Sequence, residues 1–247
     1  MLTLEFNSKK ELEAQLIDFK VLFAYHSNKI ENPEINFHDT REIFENGKVI
    51  SYTGELRTLY EISNQKDCYN MLLDYIMQKK NLTIDLIKQI HYELTKGTYD
   101  EKRYVINQER PGQFKKHDYI TGVNEVGSYP EDVEEDLIQL LEEVNSYSGE
   151  DYLTVVSYFH AMFENIHPFA DGNGRVGRTL INYYLLIHGI KPLVIYDEDK
   201  KIYYECLEKF DTLNDISALK EFIHYEQEKT WTRKKSLRTS LEDVIGN

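Results

Sequence analysis

The sequence predicts a mainly α-helical protein carrying one small β-hairpin. Apolar residues recur at three- and four-residue spacing through several separate segments, the period of helices that bury one face. One segment alone, about residues 105–122, breaks instead into short apolar-aromatic runs divided by turn residues, as hairpin strands do. The chain has 247 residues, 41% apolar and 29% charged, values suited to one packed core with appended segments.

Ser8-Lys9-Lys10-Glu11 is a capping box, in which serine and glutamate side chains each satisfy a backbone donor at a helix start. Leu12, Leu16, Phe19 and Phe23 continue it as one stripe, and the helix is expected to reach Asn32, because the residue before Pro33 is driven from the α region. Leu82, Leu86, Ile90 and Leu94 mark a second helix. Val105-Ile106, Arg110 to Phe114 and Asp118 to Gly122 are the hairpin runs. Val133 to Val144 reads as a helix through Leu137, Leu140 and Leu141, and Leu153 to Ile166 as another through Val156, Phe159 and Phe163. A further helix puts Gly177, Leu180, Ile181, Tyr184, Leu185 and His188 on its buried face and ends at Gly189, a C′ glycine. Ile216 to about Trp231 is helical, and the Lys/Arg/Ser-rich remainder is expected to be a solvated or frayed end.

Charge narrows the function. With 43 acids against 29 bases the net charge is −14, so bulk nucleic acid and anionic membrane are not expected partners, and any phosphate ligand needs a local basic site. Cys68 and Cys206 lie far apart, without metal-finger spacing, and fit buried thiols of a reducing compartment. Neither a signal-type start nor a long apolar run is present, and the expectation is a soluble, cytoplasmic protein.

Chemistry concentrates in residues 166–178, Ile-His-Pro-Phe-Ala-Asp-Gly-Asn-Gly-Arg-Val-Gly-Arg, which reads as helix, glycine loop, helix. Gly172-x-Gly174-x-x-Gly177, with Asp197 twenty residues on, matches a dinucleotide fingerprint in letters, but no hydrophobic strand enters the turn as that fold requires. A plain interhelical turn is the other reading. Arg175 and Arg178 in the first turn argue against it, because the helix dipole is positive there. A bound anion resolves the conflict: free N–H groups cradle phosphate and the two arginines clamp its charge. Asp171 beside a phosphate implies an intervening Mg²⁺. His167, able to take a proton near neutrality, completes the set, while His26, His91, His160 and His188 are read as structural.

Residues 167–178 resemble the signature of the Fic family, HxFx(D/E)GNGRxxR, and every specified position matches. The resemblance implies a Fic-type helical bundle with a β-hairpin flap beside the active site, and transfer of AMP from ATP to a Ser, Thr or Tyr hydroxyl of a target protein or of the chain itself. It implies His167 as general base, Asp171 as Mg²⁺ ligand, Gly172, Asn173 and Gly174 as anion hole, Arg175 toward the β-phosphate and Arg178 toward the γ-phosphate. Gly112, Gln113, Phe114 and Lys115 resemble the flap that docks the target, with Lys115 where a family arginine is common. Lys201 to Tyr204 resembles the segment closing over the adenosine, so Tyr203 and Tyr204 are implied ATP contacts, and Asp211 stands where some relatives carry asparagine.

Ser27-Asn28-Lys29-Ile30-Glu31-Asn32 resembles the family's inhibitory motif (S/T)xxxE(G/N), in which the glutamate pairs with the last signature arginine, here Arg178. Glu31 at a helix C-terminus already wants a cation, because the dipole there is negative. The implied organisation is an inhibitory helix and connecting segment in residues 1–60, a catalytic core in 61–235 and a tail in 236–247. Phosphotransfer of the Doc type, removal of AMP from a modified target, and a nucleotide-sensing module are the alternatives. The target and the oligomeric state are not legible.

Overall fold

The computed structural model describes residues 2–50, 52–119 and 127–245, with side chains as far as Thr232. Ten α-helices run through the described residues: α1 (Lys9–Gln15), α2 (Ile17–Glu31), α3 (Phe37–Asn46), α4 (Leu56–Met77), α5 (Ile84–Thr95), α6 (Val133–Ser146), α7 (Tyr152–Ile166), α8 (Asn173–Ile187), α9 (Lys200–Leu213) and α10 (Ser217–Ile245). A π-helical turn spans Lys102–Ile106 and a 3₁₀ turn Asp197–Asp199. No strand occurs among the described residues, only an isolated antiparallel bridge between Thr3 and Ile190. No helix of the described residues is long and apolar enough to cross a membrane.

α8 is the axis of the molecule. All its residues but Gly174 are buried, and it packs against α2, α4, α5 and α7. A helix buried all round has no solvated side, so Arg175 and Arg178, 2% and 1% exposed, lie inside the protein rather than on a surface face. Gly189, at φ 70°, ends the helix as expected, its N–H bonded to the Leu186 carbonyl.

The first helix is two. The ladder breaks at Leu16, whose φ of −99° and ψ of 8° are not helical, so α1 and α2 meet at a bend with Leu16 fully buried inside it. Both pieces still pack on α4, which is why one apolar stripe runs through the break. Ser8 accepts from the Glu11 N–H as a cap should, but Glu11 reaches back to the Asn7 N–H instead of to Ser8's own.

The hairpin expected over residues 105–122 is not what the described part forms. Residues 120–122 lie outside the described residues. From 105 to 119 the chain makes turns, entered through the π-turn, where Asp100 accepts from the Arg103 N–H and the Asn107 N–H bonds to the Lys102 carbonyl. Val105 and Ile106, read as strand residues, are 62% and 71% exposed, so their apolar character marked no buried face. The expected solvated or frayed end is helical backbone through Ile245 in α10. A small second core of Ala24, Ile35, Ile43, Phe44 and Ile62 fastens α3 to α2 and α4.

Candidate active site

The turn between α7 and α8 is built by its own side chains. His167 caps α7 in the left-handed region, at φ 50°, with its N–H on the Phe163 carbonyl. Phe169 turns inward and is fully buried. Asn173 clasps the loop, accepting from the Phe169 N–H at 2.9 Å and donating to the Phe169 carbonyl at 2.7 Å. Its side chain is thereby spent inside the loop, leaving its backbone N–H among the unsatisfied donors at the start of α8. Gly172, at φ 87°, is obligatory, because a Cβ there would stand 2.8 Å from Thr95 Cγ2. The glycine loop joins helix to helix, with no entering strand, and Asp197 pairs with His26 at 2.6 Å, so the dinucleotide letters have no structural counterpart.

Arg178 and Glu31 meet. Arg178 Nη2 lies 2.7 Å from Glu31 Oε1 and also donates to the Ser27 carbonyl at 2.9 Å, while Nε donates to Ser27 Oγ at 3.1 Å. The Glu31 oxygen also lies against Gly174, within 2.5 Å of where a Cβ would stand, so the carboxylate sits over the first turn of α8. Arg178 Nη1, 2.8 Å from where a Gly174 Cβ would stand, is buried with no hydrogen-bond partner.

Asp171 faces cations on two sides. Arg57 Nη2 is 3.1 Å from Oδ2 and Arg175 Nη2 is 3.6 Å from Oδ1. Burial raises its carboxyl, but Arg175, Arg103 and Arg57 outweigh that and hold it below the ordinary value. Glu61, 2% exposed, ties the group together: it accepts from Arg57 Nε at 3.0 Å and Asn32 Nδ2 at 2.7 Å, and lies 3.4 Å from Arg175 Nη1. Asp171, the acidic side chain of the loop itself, fits a Mg²⁺ ligand, because that ion is commonly held by one or two carboxylates together with substrate phosphates. The His26, Asp197 and Glu198 group is the one His/Cys/Asp/Glu cluster of metal-ligand spacing among the described residues, and it lies apart from this loop.

His167 is partly buried, and burial, with Lys115 adding repulsion, pushes its ring down to about 4, against support from the Glu164 carbonyl, Glu31 and Asp171. Of the flap residues, Lys115 is buried and its N–H donates to the Pro168 carbonyl. Gly112, at φ 79°, donates its N–H to His91 Nδ1, Phe114 packs 5.6 Å from Phe169, and Gln113 is exposed.

Tyr203 is buried with its hydroxyl on His160 Nε2 at 2.7 Å, whereas Tyr204 is 41% exposed. Asp211 accepts from Asn165 Nδ2 at 3.2 Å. Glu164, on α7, is pushed up to about 7, mainly by burial and further by Glu31 and Asp211, with Arg178 opposing.

Two residues of this site escaped sequence reading, Arg57 and Glu61, while His91, read as structural, is buried as such and also bears on the loop. His91 is not merely a core histidine. Its Nδ1 accepts from Gly112, so Nε2–H donates to the Asp171 carbonyl at 3.0 Å, and its ring stacks on Phe169 at 3.7 Å. It thus joins the 110–119 segment to the loop, and burial, the largest cause, pushes the ring down to about 3, keeping it neutral. A polar residue inside the stripe of α5 was its one sequence signal, and the four-residue spacing of Arg57 and Glu61 was theirs.

Comparison with known proteins bears on this geometry. The Fic/DOC family model matches residues 81–185. Among curated proteins, the protein adenylyltransferase fic-1 of Caenorhabditis briggsae is 26% identical over 212 residues, covering 83% of this chain and 38% of that one. The protein adenylyltransferase Fic of Nematostella vectensis is 27% identical over 212 residues, covering 83% and 46%. The chain thus spans less than half the length of these relatives. Among solved structures, a Fic domain containing signaling protein from Bacteroides thetaiotaomicron superposes with a TM-score of 0.78 at 22% identity, over 91% of this chain and 88% of that one. Fic-1 of Caenorhabditis elegans gives 0.78 at 23%, over 96% and 68%. At such identities the likeness is one of fold.

Proposed function

We infer, from a chain that carries a Fic/DOC family domain in residues 81–185, that this protein transfers AMP from ATP to a hydroxyl side chain of a protein, releasing pyrophosphate. The observation that carries the reading is one loop that sets a neutral histidine beside a helix start with two buried arginines in its first two turns. The names of the adenylyltransferase relatives agree with it.

In this reading His167 takes the proton of the target hydroxyl as the oxygen bonds to the α-phosphorus. The bond to the β-phosphate breaks, and pyrophosphate leaves with the electron pair. The N–H groups of Gly172, Asn173 and Gly174 and the guanidinium of Arg175 receive the phosphate oxygens, and Arg178 takes the γ-phosphate once Glu31 lets go. Asp171 would hold Mg²⁺, which neutralises phosphate charge as the leaving group departs. Tyr204, with its open face, borders the nucleoside, while Tyr203 holds His160 behind it. The 110–119 segment, braced by His91 and Phe169, serves as the flap that docks the target. Glu31 on Arg178 is the inhibited state.

Mass analysis of a cytosolic extract, and of the protein itself, after incubation with ATP and Mg²⁺ tests this. Addition of AMP supports transfer. Addition of phosphate alone would assign Doc-like chemistry, loss of preinstalled AMP would assign removal, and no change would leave a nucleotide-sensing module.

The depressed His167 ring adds a pH prediction. With its value near 4 the base is free of its proton at every higher pH, so kcat/KM for transfer should stay level from about pH 8 to about pH 5 and fall only on further acidification. A decline centred near ~6.5, the ordinary histidine value, would show a solvated ring and refute the burial argument.

A further inference from the structure

We propose that Arg57 is a displaceable counterion holding the place of the divalent cation on Asp171, and so weakens the protein's response to Mg²⁺; this rests on the ATP-binding reading above. Arg57 Nη2 stands 3.1 Å from Asp171 Oδ2. A divalent ion with its retained waters needs that oxygen and the space before it, so guanidinium and metal exclude each other by contact and by charge. Of the two arginines on Asp171, only Arg57 can withdraw. Arg175 is 2% exposed and held in the first turn of α8, four residues after Asp171, whereas the Arg57 side chain is 38% exposed and comes from another helix.

Arg57 also has somewhere to go. It is the second residue of α4, where the positive helix dipole disfavours a cation, and is held there by two carboxylates rather than by the backbone. Its Nε remains on Glu61 Oε1 at 3.0 Å when Nη2 leaves Asp171, so it retreats onto a tether instead of into solvent. Glu61 in turn accepts from Asn32, the residue after Glu31, which fixes the tether to the end of the inhibitory helix.

The test is the binding of a non-hydrolysable ATP analogue to the full chain, by calorimetry, once with excess Mn²⁺ and once with EDTA. The ratio of the two dissociation constants measures how strongly metal and nucleotide assist each other at the site. Arg57→Gln is expected to raise that ratio about fivefold, the upper range for a partly exposed ion pair, by tightening the Mn²⁺ form. Asp171→Ala should bring the ratio near one, and adding Arg57→Gln to it should then change nothing. Because Arg57 is partly exposed, its variant should melt within a few degrees of wild type, a check on folding. An unchanged ratio overturns the proposal. Weakening of both forms by Arg57→Gln would make Arg57 a phosphate ligand and overturn it equally, as would an effect surviving in the Asp171→Ala background. Failure of the transfer reading would show separately, as intact metal-assisted nucleotide binding with no AMP reaching any protein.

Discussion

Replacing His167 with alanine is expected to slow AMP transfer by about 10²- to 10⁴-fold while leaving ATP binding nearly unchanged, since general base catalysis supplies a factor of that size. The two effects separate because the phosphate-facing groups do not depend on the imidazole. Gly172 is placed by the left-handed turn above Thr95, Asn173 by its clasp on Phe169, and Arg178 by Ser27. The alanine keeps a Cβ at the same left-handed position, so the α7 cap is preserved in kind. Calorimetric ATP titration alongside mass-resolved product formation checks the split. Transfer within tenfold of wild type would remove His167 from the role of base, and a matching loss of ATP affinity would make it a binding residue.

Glu31→Gly is expected to act in the opposite direction, raising modification of target or self by about 5- to 150-fold, the range of a coupling of ~1 to 3 kcal/mol. Arg178 cannot give Nη2 to both a carboxylate and a γ-phosphate, and the structure holds it on Glu31 at 2.7 Å. The guanidinium is 1% exposed and the Glu31 side chain 34%, so the pair is screened on one side only and is worth more than a surface bridge. Loss of Glu31 leaves Arg178 oriented by Ser27 through Nε and Nη2, ready for phosphate rather than collapsed. Removing the carboxylate also clears the approach to Gly174, where Glu31 Oε1 now stands. Glu31→Gln, which keeps size and loses charge, should fall between wild type and glycine. Arg178→Ala should not activate, because it removes the phosphate clamp with the lock. Equal initial rates for wild type and Glu31→Gly at saturating ATP and Mg²⁺ would reduce Glu31 to an ordinary helix-end residue.

The loop was legible in the sequence because its chemistry is contiguous. His167, Asp171, Arg175 and Arg178 lie within twelve residues of chain, and two arginines near a positive helix end pose the anion-binding hypothesis without any fold. The helices with apolar stripes were legible for the same local reason. α4 was not, because its inner face carries Glu61, Asn64 and Gln65 among its buried residues, which dilute the apolar period on which the reading relies. The region of the π-turn was misread in the other direction, since exposed Val105 and Ile106 imitate a strand that nothing nearby pairs with among the described residues.

Local chemistry in the chain therefore singled out the groups proposed to act: the histidine, the glycine loop with its arginines, the loop carboxylate and the glutamate placed against a dipole. Only tertiary packing decided which charges meet. Arg178 reaches Glu31 across 147 positions, Arg57 reaches Asp171 across 114, and His91 joins Gly112 to Asp171 from a third helix. No sequence period encodes such pairs. The first follows from burying α8 on every side, because the buried Arg178 guanidinium must find a partner on a helix packed against it, and the other two from packing α4 and α5 beside the start of α8.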